Sequence, residues 1–416
     1  MKERYNDLGT EKIGKLLFKL SLPAVISQLV NMLYNMVDRM YIGHIPEEGI
    51  KALTGLGLCF PIIMIVSAFS CLFGMGGAPK AAIEMGKGDN DRAERILGNV
   101  FSAIIITSII LTFLLFIFGQ KLLFLFGACN ETIVYGWNYL KIYLLGTIFV
   151  QVALGLNMFI TTQGFAKYSM ITVVIGAALN ILLDPIFIFY FNLGVKGAAL
   201  ATIISQGVSS LWVIKFLLSS KSKLKIKKKN LSLNTSNILP VMALGASPFV
   251  MQSTESILNI CFNASLQRYG GDLAVAVMTI LGSVMQLCTM PIQGFTQGAQ
   301  PIVSFNYGAK NMDRVKKTIS ILFCICITIT VIGCLAVEIF PRFFIGIFNY
   351  NLDLMDSAVR ALRIYIGGLW IFGAQCACQQ SFVALGQAKV SLILACLRKI
   401  VLLIPFIYKF PYFFSN

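Results

Sequence analysis

The chain has 416 residues, of which 57% are hydrophobic and only 12% are charged, and its formal net charge is +16. A water-soluble domain carries roughly twice this density of charged residues. The composition therefore excludes a soluble globular protein and favours an all-α protein that crosses the membrane many times.

Long apolar segments recur along the whole chain, and each can cross a ~30 Å hydrocarbon core as a helix. They predict eleven spanning helices, at about 16–41, 52–76, 96–118, 133–160, 168–191, 194–218, 237–265, 272–297, 315–338, 362–384 and 390–409. The first segment is too long for the apolar part of a signal peptide, so we interpret it as a spanning helix. The eleven Cys form no CxxC or Cys/His pattern, and His44 is the single His. We therefore expect no structural metal site and no cofactor.

The positive charges indicate how the chain is oriented. We assign the segment KSKLKIKKKN, residues 221–230, to the cytoplasm because Lys and Arg are enriched in cytoplasmic loops. Six spans precede this segment, so we expect the N-terminus on the cytoplasmic side as well. Loops on the opposite side hold far fewer Lys and Arg. This asymmetry accounts for the net charge, and we expect no nucleic-acid partner.

The chain contains an internal repeat at an offset of 222 residues. The positions that coincide under this shift include Gly76 with Gly298, Gly86 with Gly308, Asp91 with Asp313, Tyr143 with Tyr365, Gly146 with Gly368 and Gly164 with Gly386. Six spans separate matching positions, so both copies run the same way through the membrane. We therefore expect an N-lobe (residues 1–220), a basic cytoplasmic linker (221–236) that is solvated and needs no structure, and a C-lobe (237–416).

The predicted lobes are unequal. The sixth span begins near Gly194, and its counterpart under the shift would begin near position 416, where the chain ends. We expect lobes of six and five helices around a central cavity, with the C-terminus outside. Either the second lobe is truncated, which we favour, or its last helix is dispensable.

Three acidic residues fall within apolar spans, namely Asp38, Asp184 and Glu255. A carboxylate at the centre of a membrane helix costs about 2.5–3.5 kcal/mol, so each suggests a function. Asp184 lies one turn after Asn180, and Thr202 lies at a similar depth on the next, antiparallel helix. Their oxygens predict a site for a proton or for Na⁺. The alternative is a packing network in which Asn180 merely satisfies Asp184.

The other two acids each leave two interpretations open. Asp38 lies toward the outer end of the first span, close to Tyr34, and either belongs to a functional site or caps the outer loop. Glu255 has Gln252 and Asn259 within four residues, and is either a second cation or substrate contact or part of a polar seam between helices. No GxxxxGK[ST] motif occurs, so ATP hydrolysis is not expected.

Several segments together resemble the multidrug and toxic compound extrusion (MATE) family, and most of all its prokaryotic DinF-like branch. These segments are LSLPAVISQLVNMLYNMVDRMYIG, ALNILLDPIFIF, GVKGAALATIISQ, RYGGDLAVAVM and MPIQGFTQGAQPIVSFNYGAKNMDRVKKT. The resemblance covers about residues 8–405. It implies twelve helices in two six-helix lobes and a multi-pass protein of a prokaryotic plasma membrane.

The resemblance also implies site residues. In the family, aspartates on helices 1 and 5 form a cation-responsive site, and the matching residues are Asp38 and Asp184. The residues that we expect to assist them are Asn180, Thr202, Asn157 and Tyr139. If the coupling ion is Na⁺, we expect Asp184, Asn180 and Thr202 to bind it. The candidate substrate-cavity residues are Glu255, Gln252, Asn259, Gln28 and Tyr34.

We therefore expect a monomeric, secondary-active antiporter, not an enzyme. It would export amphipathic or cationic drugs in exchange for H⁺ or Na⁺ by alternating access. Two alternatives remain: a lipid-linked oligosaccharide flippase of the same superfamily, or a truncated remnant that does not transport. A flippase would need a basic cavity, and the only candidate residues in or near spans are Arg39, Arg398 and Lys399.

Overall fold

The structure is a computed structural model that describes residues 7–46, 48–346 and 352–414. The described residues form helices and contain no β-strand. The α-helices are α1 Ile13–Gly43, α2 Gly49–Gly86, α3 Asn90–Leu125, α4 Thr132–Leu145, α5 Thr147–Thr162, α6 Ala166–Pro185, α7 Val195–Leu218, α8 Thr235–Gly308, α9 Met312–Ile339, α10 Pro341–Gly346, α11 Leu352–Ile366, α12 Leu369–Ala384, α13 Ala388–Cys396 and α14 Ile404–Phe414. Between these helices lie two π-helical segments, Ile186–Tyr190 and Leu397–Leu403, and one short 3₁₀ turn, Lys228–Asn230.

The predicted all-α, membrane-spanning fold is confirmed. Among the described residues, eight helices are long and apolar enough to cross a membrane, and two bent pairs bring the number to ten. The remaining predicted span, at about 237–265, is helical within α8 but is not one of the ten. It carries polar residues such as Gln252 and Glu255. At Gly271 the backbone leaves the helical region (φ 64°), so α8 is two helices joined there.

Two of the predicted spans are bent. The α4–α5 pair bends by 59° and the α11–α12 pair by 44°. The first bend lies at Gly146 and the second at Gly368, which coincide under the 222-residue shift. At Gly146 a Cβ would lie 2.5 Å from the side chain of Ile203, so a larger residue would not fit against α7.

Helices α2 and α8 approach closely at two glycines. A Cβ on Gly86 would lie 2.0 Å from the carbonyl oxygen of Phe305, and a Cβ on Gly308 would lie 2.0 Å from that of Ile83. Under the 222-residue shift, Gly86 corresponds to Gly308 and Ile83 to Phe305, so the same contact occurs twice. An approximate two-fold axis between repeated units produces such reciprocal contacts. This geometry supports a duplicated architecture.

The basic linker is not a solvated segment without structure, and that expectation was wrong. The buried amide oxygen of Gln163 accepts hydrogen bonds from the backbone N–H groups of Lys223 (2.7 Å) and Leu224 (3.0 Å). The Leu224 side chain is fully buried. The Lys227 ammonium pairs with the Glu94 carboxylate, which raises the pKa of Lys227 above its usual value. Apolar residues between the lysines anchor the segment while the lysines stay at the surface.

Candidate ion-coupling site

The site is built around Asp184, which lies next to the point where α6 ends and the π-helical segment begins. Pro185, the next residue, has no N–H and disturbs the helical hydrogen bonding there. Asp184 is fully buried. Asn180, one turn earlier, donates through Nδ2 to Asp184 Oδ1 at 3.3 Å and to Thr202 Oγ1 at 3.4 Å. The structure thus brings together the three residues that the sequence placed at one depth.

Asp38 reaches the same place from α1. It is 8% exposed, and its carboxyl group lies within hydrogen-bonding range of the Asp184 carboxyl group. The Arg39 guanidinium lies 5.6 Å from the centre of the Phe60 ring. The structure therefore favours a shared site over a loop-capping role for Asp38. The two carboxyl groups are hereafter called the acid pair.

Tyrosines border the acid pair. The Tyr139 hydroxyl interacts with Thr202 and lies near Asp38. Tyr34 lies near both carboxyl groups. Tyr143 stacks on Tyr139 with 6.2 Å between ring centres. Tyr143 was not predicted, although its spacing of four residues from Tyr139 puts both on one face of α4.

Three oxygens around the acid pair have no hydrogen-bond partner among the described residues. They are Asp38 Oδ1, Asn180 Oδ1 and Asp184 Oδ2. Buried polar atoms normally have a partner. Two carboxylates at this range repel each other unless one is protonated or a cation lies between them. The three free oxygens suit either a proton or a hard cation, which prefers oxygen ligands.

A cavity of about 140 Å³ adjoins the acid pair. Three further predicted residues, Gln28, Tyr34 and Asn157, line it together with Asn180 and Thr202. Asn157 is held by a hydrogen bond from its Nδ2 to a backbone carbonyl oxygen of α6 at 3.1 Å. None of the residues that line this cavity is charged.

Several cavity residues were missed from the sequence. Ser205, Ser209 and Gln300 line the cavity and are each more than nine-tenths buried. Burying a hydroxyl or amide group within a span costs less free energy than burying a carboxylate, so such a residue is a weaker indication of a functional site. One signal was available, because Thr202, Ser205 and Ser209 are spaced along a single face of α7.

The acidic residue of α8 lies elsewhere. Glu255 pairs with the Lys399 ammonium, which also donates to the carbonyl oxygen of Met251 at 2.9 Å. Lys399 is only 5% exposed. Gln252 donates to a methionine sulfur on α2, and Asn259 is exposed. None of these residues lines the cavity, and the geometry favours the polar-seam interpretation of Glu255.

The fold and the acid pair define a multi-pass membrane protein with carboxyl groups buried inside a helix bundle. The chain belongs to the MatE family, whose family model matches residues 23–186 and 248–409. This confirms the family expected from the sequence.

Relatives with similar sequences include bacterial export proteins. The chain is 26% identical over 386 residues to the multidrug export protein MepA of Staphylococcus aureus (strain MSSA476), covering 93% of this chain and 85% of that protein. It is 25% identical over 390 residues to MepA of Staphylococcus haemolyticus (strain JCSC1435), covering 92% and 84%.

Solved structures share the architecture. A crystal structure of a MATE protein in complex with MaL6 has a TM-score of 0.90 and 25% identity, covering 98% of this chain and 90% of that one. A MOP superfamily transporter from Pyrococcus furiosus Vc1 (DSM3638) also has a TM-score of 0.90 and 25% identity, covering 99% and 92%. The structure of that transporter is described as showing a binding pocket of reverse polarity.

Proposed function

We propose that the protein is a multidrug efflux antiporter that exports amphipathic, often cationic compounds in exchange for H⁺ or Na⁺. The observation that carries the proposal is the acid pair, two carboxyl groups buried side by side within a membrane-spanning bundle. The names of the MepA relatives support multidrug export. We place the protein in the plasma membrane of a prokaryote as a monomer, with its N-terminus in the cytoplasm.

The acid pair can couple ion entry to drug exit because its charge changes with ion occupancy. With a proton or Na⁺ bound, α1 and α6 can stay together at Asp38 and Asp184. With both carboxylates free, two unit charges 4 Å apart repel by about 4 kcal/mol at an effective dielectric constant of 20. That energy corresponds to a roughly thousandfold change in an equilibrium between two arrangements of the helices. Drug binding would favour one arrangement and the ion the other, which is the basis of alternating access.

We further propose that two lobes, residues 1–220 and 237–416, form the moving units. The reciprocal glycine contacts of α2 and α8 support this division, as do the two separate stretches that match the family model. The docked linker between the lobes would then restrain their relative motion through its contacts with Gln163 and Glu94.

The flippase alternative has less support. A lipid-linked oligosaccharide carries pyrophosphate and needs a basic cavity, but the described cavity has no charged lining residue. Lys399 is engaged by Glu255, and Arg398 donates to Gln375. Arg39 lies over an aromatic ring outside the cavity. These cations are therefore not arranged to bind a diphosphate in the described cavity.

Transport by membrane vesicles tests the proposal. Ethidium movement would be followed in vesicles with a pH gradient or a sodium gradient imposed separately. We expect one of the two gradients to drive transport, and Asp184→Asn to abolish it. Asp356→Asn is the matched control, since Asp356 makes only a surface ion pair and its side chain is 76% exposed. If Asp184→Asn were present in the membrane at wild-type amounts and still transported ethidium normally, the site assignment would be wrong.

A further inference from the structure

Four buried polar atoms around the cavity lack a hydrogen-bond partner within the described ranges. They are Asn157 Oδ1, Asn180 Oδ1, Ser205 Oγ and Gln300 Nε2, from α5, α6, α7 and α8. Asn180, Ser205 and Gln300 are at most 6% exposed. Leaving one such atom unpaired costs about 1–3 kcal/mol, and proteins normally supply a partner or an ordered water. Four of them around one cavity point to a polar ligand inside it.

The cavity runs along the helices. On α6 its lining extends from Asn180 to Ser169, which is about 16 Å at 1.5 Å per residue. The neighbour of Ser169, Tyr168, accepts a hydrogen bond from the Lys221 ammonium of the linker at 3.0 Å. The cavity thus connects the level of the acid pair with the level of the basic linker.

The opposite side of the acid pair is apolar. Ile188, one turn beyond Asp184, and Ala198, one turn from Thr202, belong to a buried cluster that includes Leu140. In this conformation the described residues on that side are apolar, whereas the polar cavity lining extends from the acid pair toward the linker.

The lining offers both donors and acceptors but no charge, and apolar side chains such as Leu154 and Val173 lie between them. Water can pair with donors and acceptors alike, and the volume has room for several molecules. We propose that the cavity holds a file of water molecules that conducts the coupling proton between the acid pair and the linker side. This inference rests on the proposed antiport function.

The proton balance of this path is simple. The proton shared by Asp38 and Asp184 passes to the nearest water, where a carboxyl O–H bond breaks and a water O–H bond forms. Each water then passes a proton to the next, and one proton leaves at the level of Ser169. The acid pair is left with one more negative charge.

The water itself can be tested in the unmodified protein by X-ray hydroxyl-radical footprinting with mass spectrometry. Met158 lines the cavity, and its thioether reports radicals formed from adjacent water. We expect Met158 to oxidise at a rate close to that of Met312, which is 43% exposed. Met290, only 4% exposed and outside the cavity lining, should oxidise at least tenfold more slowly. Equal, slow oxidation of Met158 and Met290 would overturn the proposal.

Conduction is tested by the rate of proton release when ethidium binds the purified protein, followed by stopped flow with a pH dye. Ser205→Leu fills the cavity and should slow release at least tenfold with an unchanged amplitude. Ser283→Leu, the same substitution at a serine outside the cavity lining, is the matched control and should release protons at the wild-type rate.

The outcomes of this second test separate two failures. A folded Ser205→Leu protein that releases protons at the wild-type rate would refute the water file. So would a loss of ethidium affinity without slower release, which would assign the cavity to the drug. If the wild-type protein releases no proton at all, the proposed proton coupling itself fails. If Ser205→Leu does not fold, the oxidation of Met158 decides.

Discussion

Replacing Gly86 by alanine is expected to push α2 and α8 apart. The added Cβ would lie 2.0 Å from the carbonyl oxygen of Phe305 and 2.9 Å from the backbone nitrogen of Ala309. Non-bonded heavy atoms prefer a separation of about 3.5 Å, so the two backbones would have to separate locally by roughly 1.5 Å. Both obstacles are backbone atoms, which cannot rotate away as a side chain could.

The magnitude follows from two opposing effects. Overpacking of this kind typically costs about 1–3 kcal/mol. Gly86 is the last residue of α2, so alanine there recovers only part of the ~1 kcal/mol by which it exceeds glycine in a helix interior. We therefore expect a net destabilisation of about 1–2 kcal/mol by Gly86→Ala. Gly308→Ala should cost a similar amount, because its Cβ would meet the carbonyl oxygen of Ile83 at the same distance.

The assay is the thermal unfolding of the purified protein in detergent, with ethidium transport as a second readout. Gly57→Ala is the control, because it lies on the same helix and has no atom within 4 Å of its added Cβ. It should unfold at or slightly above the wild-type temperature. The double variant at positions 86 and 308 should lose less than the sum of the single losses, since one displacement relieves both contacts. If Gly86→Ala unfolded like Gly57→Ala, the close packing of α2 on α8 would be refuted.

Two further predictions concern Lys399 and Gln163. Lys399→Met leaves the Glu255 carboxylate, 58% exposed, without its ammonium, and we expect tighter binding of a monovalent cationic dye in fluorescence titrations. Adding Glu255→Gln to that variant should restore wild-type affinity, and an unchanged affinity in the single variant would contradict the pairing. Gln163→Leu removes the acceptor of two linker N–H groups, so trypsin should cleave at residues 221–230 several times faster than in wild type. Equal cleavage rates would show that the linker is held by other contacts.

The sequence predicted what depends on local spacing. Asn180 and Asp184 are four residues apart on one helix, so their contact follows from helical geometry. The depth of Thr202 followed from counting residues along two antiparallel helices. Asp38 had two interpretations, and only the packing of α1 on α6 brings its carboxyl group to Asp184.

What the sequence did not predict depends on contacts between distant segments. Lys399 and Glu255 are 144 residues apart, and no local pattern pairs them. The linker looked solvated because its lysines dominate its composition, yet the buried Leu224 and the acceptor of Gln163 hold it in place. The free Ser205 hydroxyl is recognisable only once the cavity around it is seen.

The most direct test of the central claim is the number of cations displaced when ethidium binds the purified protein. Protons would be counted with a weakly buffered pH dye and sodium with the radioactive isotope. For the wild type and for Asp356→Asn we predict that about one cation leaves per drug bound, because one acid pair holds it. For Asp184→Asn we predict none. Release of about one cation from a folded, drug-binding Asp184→Asn protein would contradict the account.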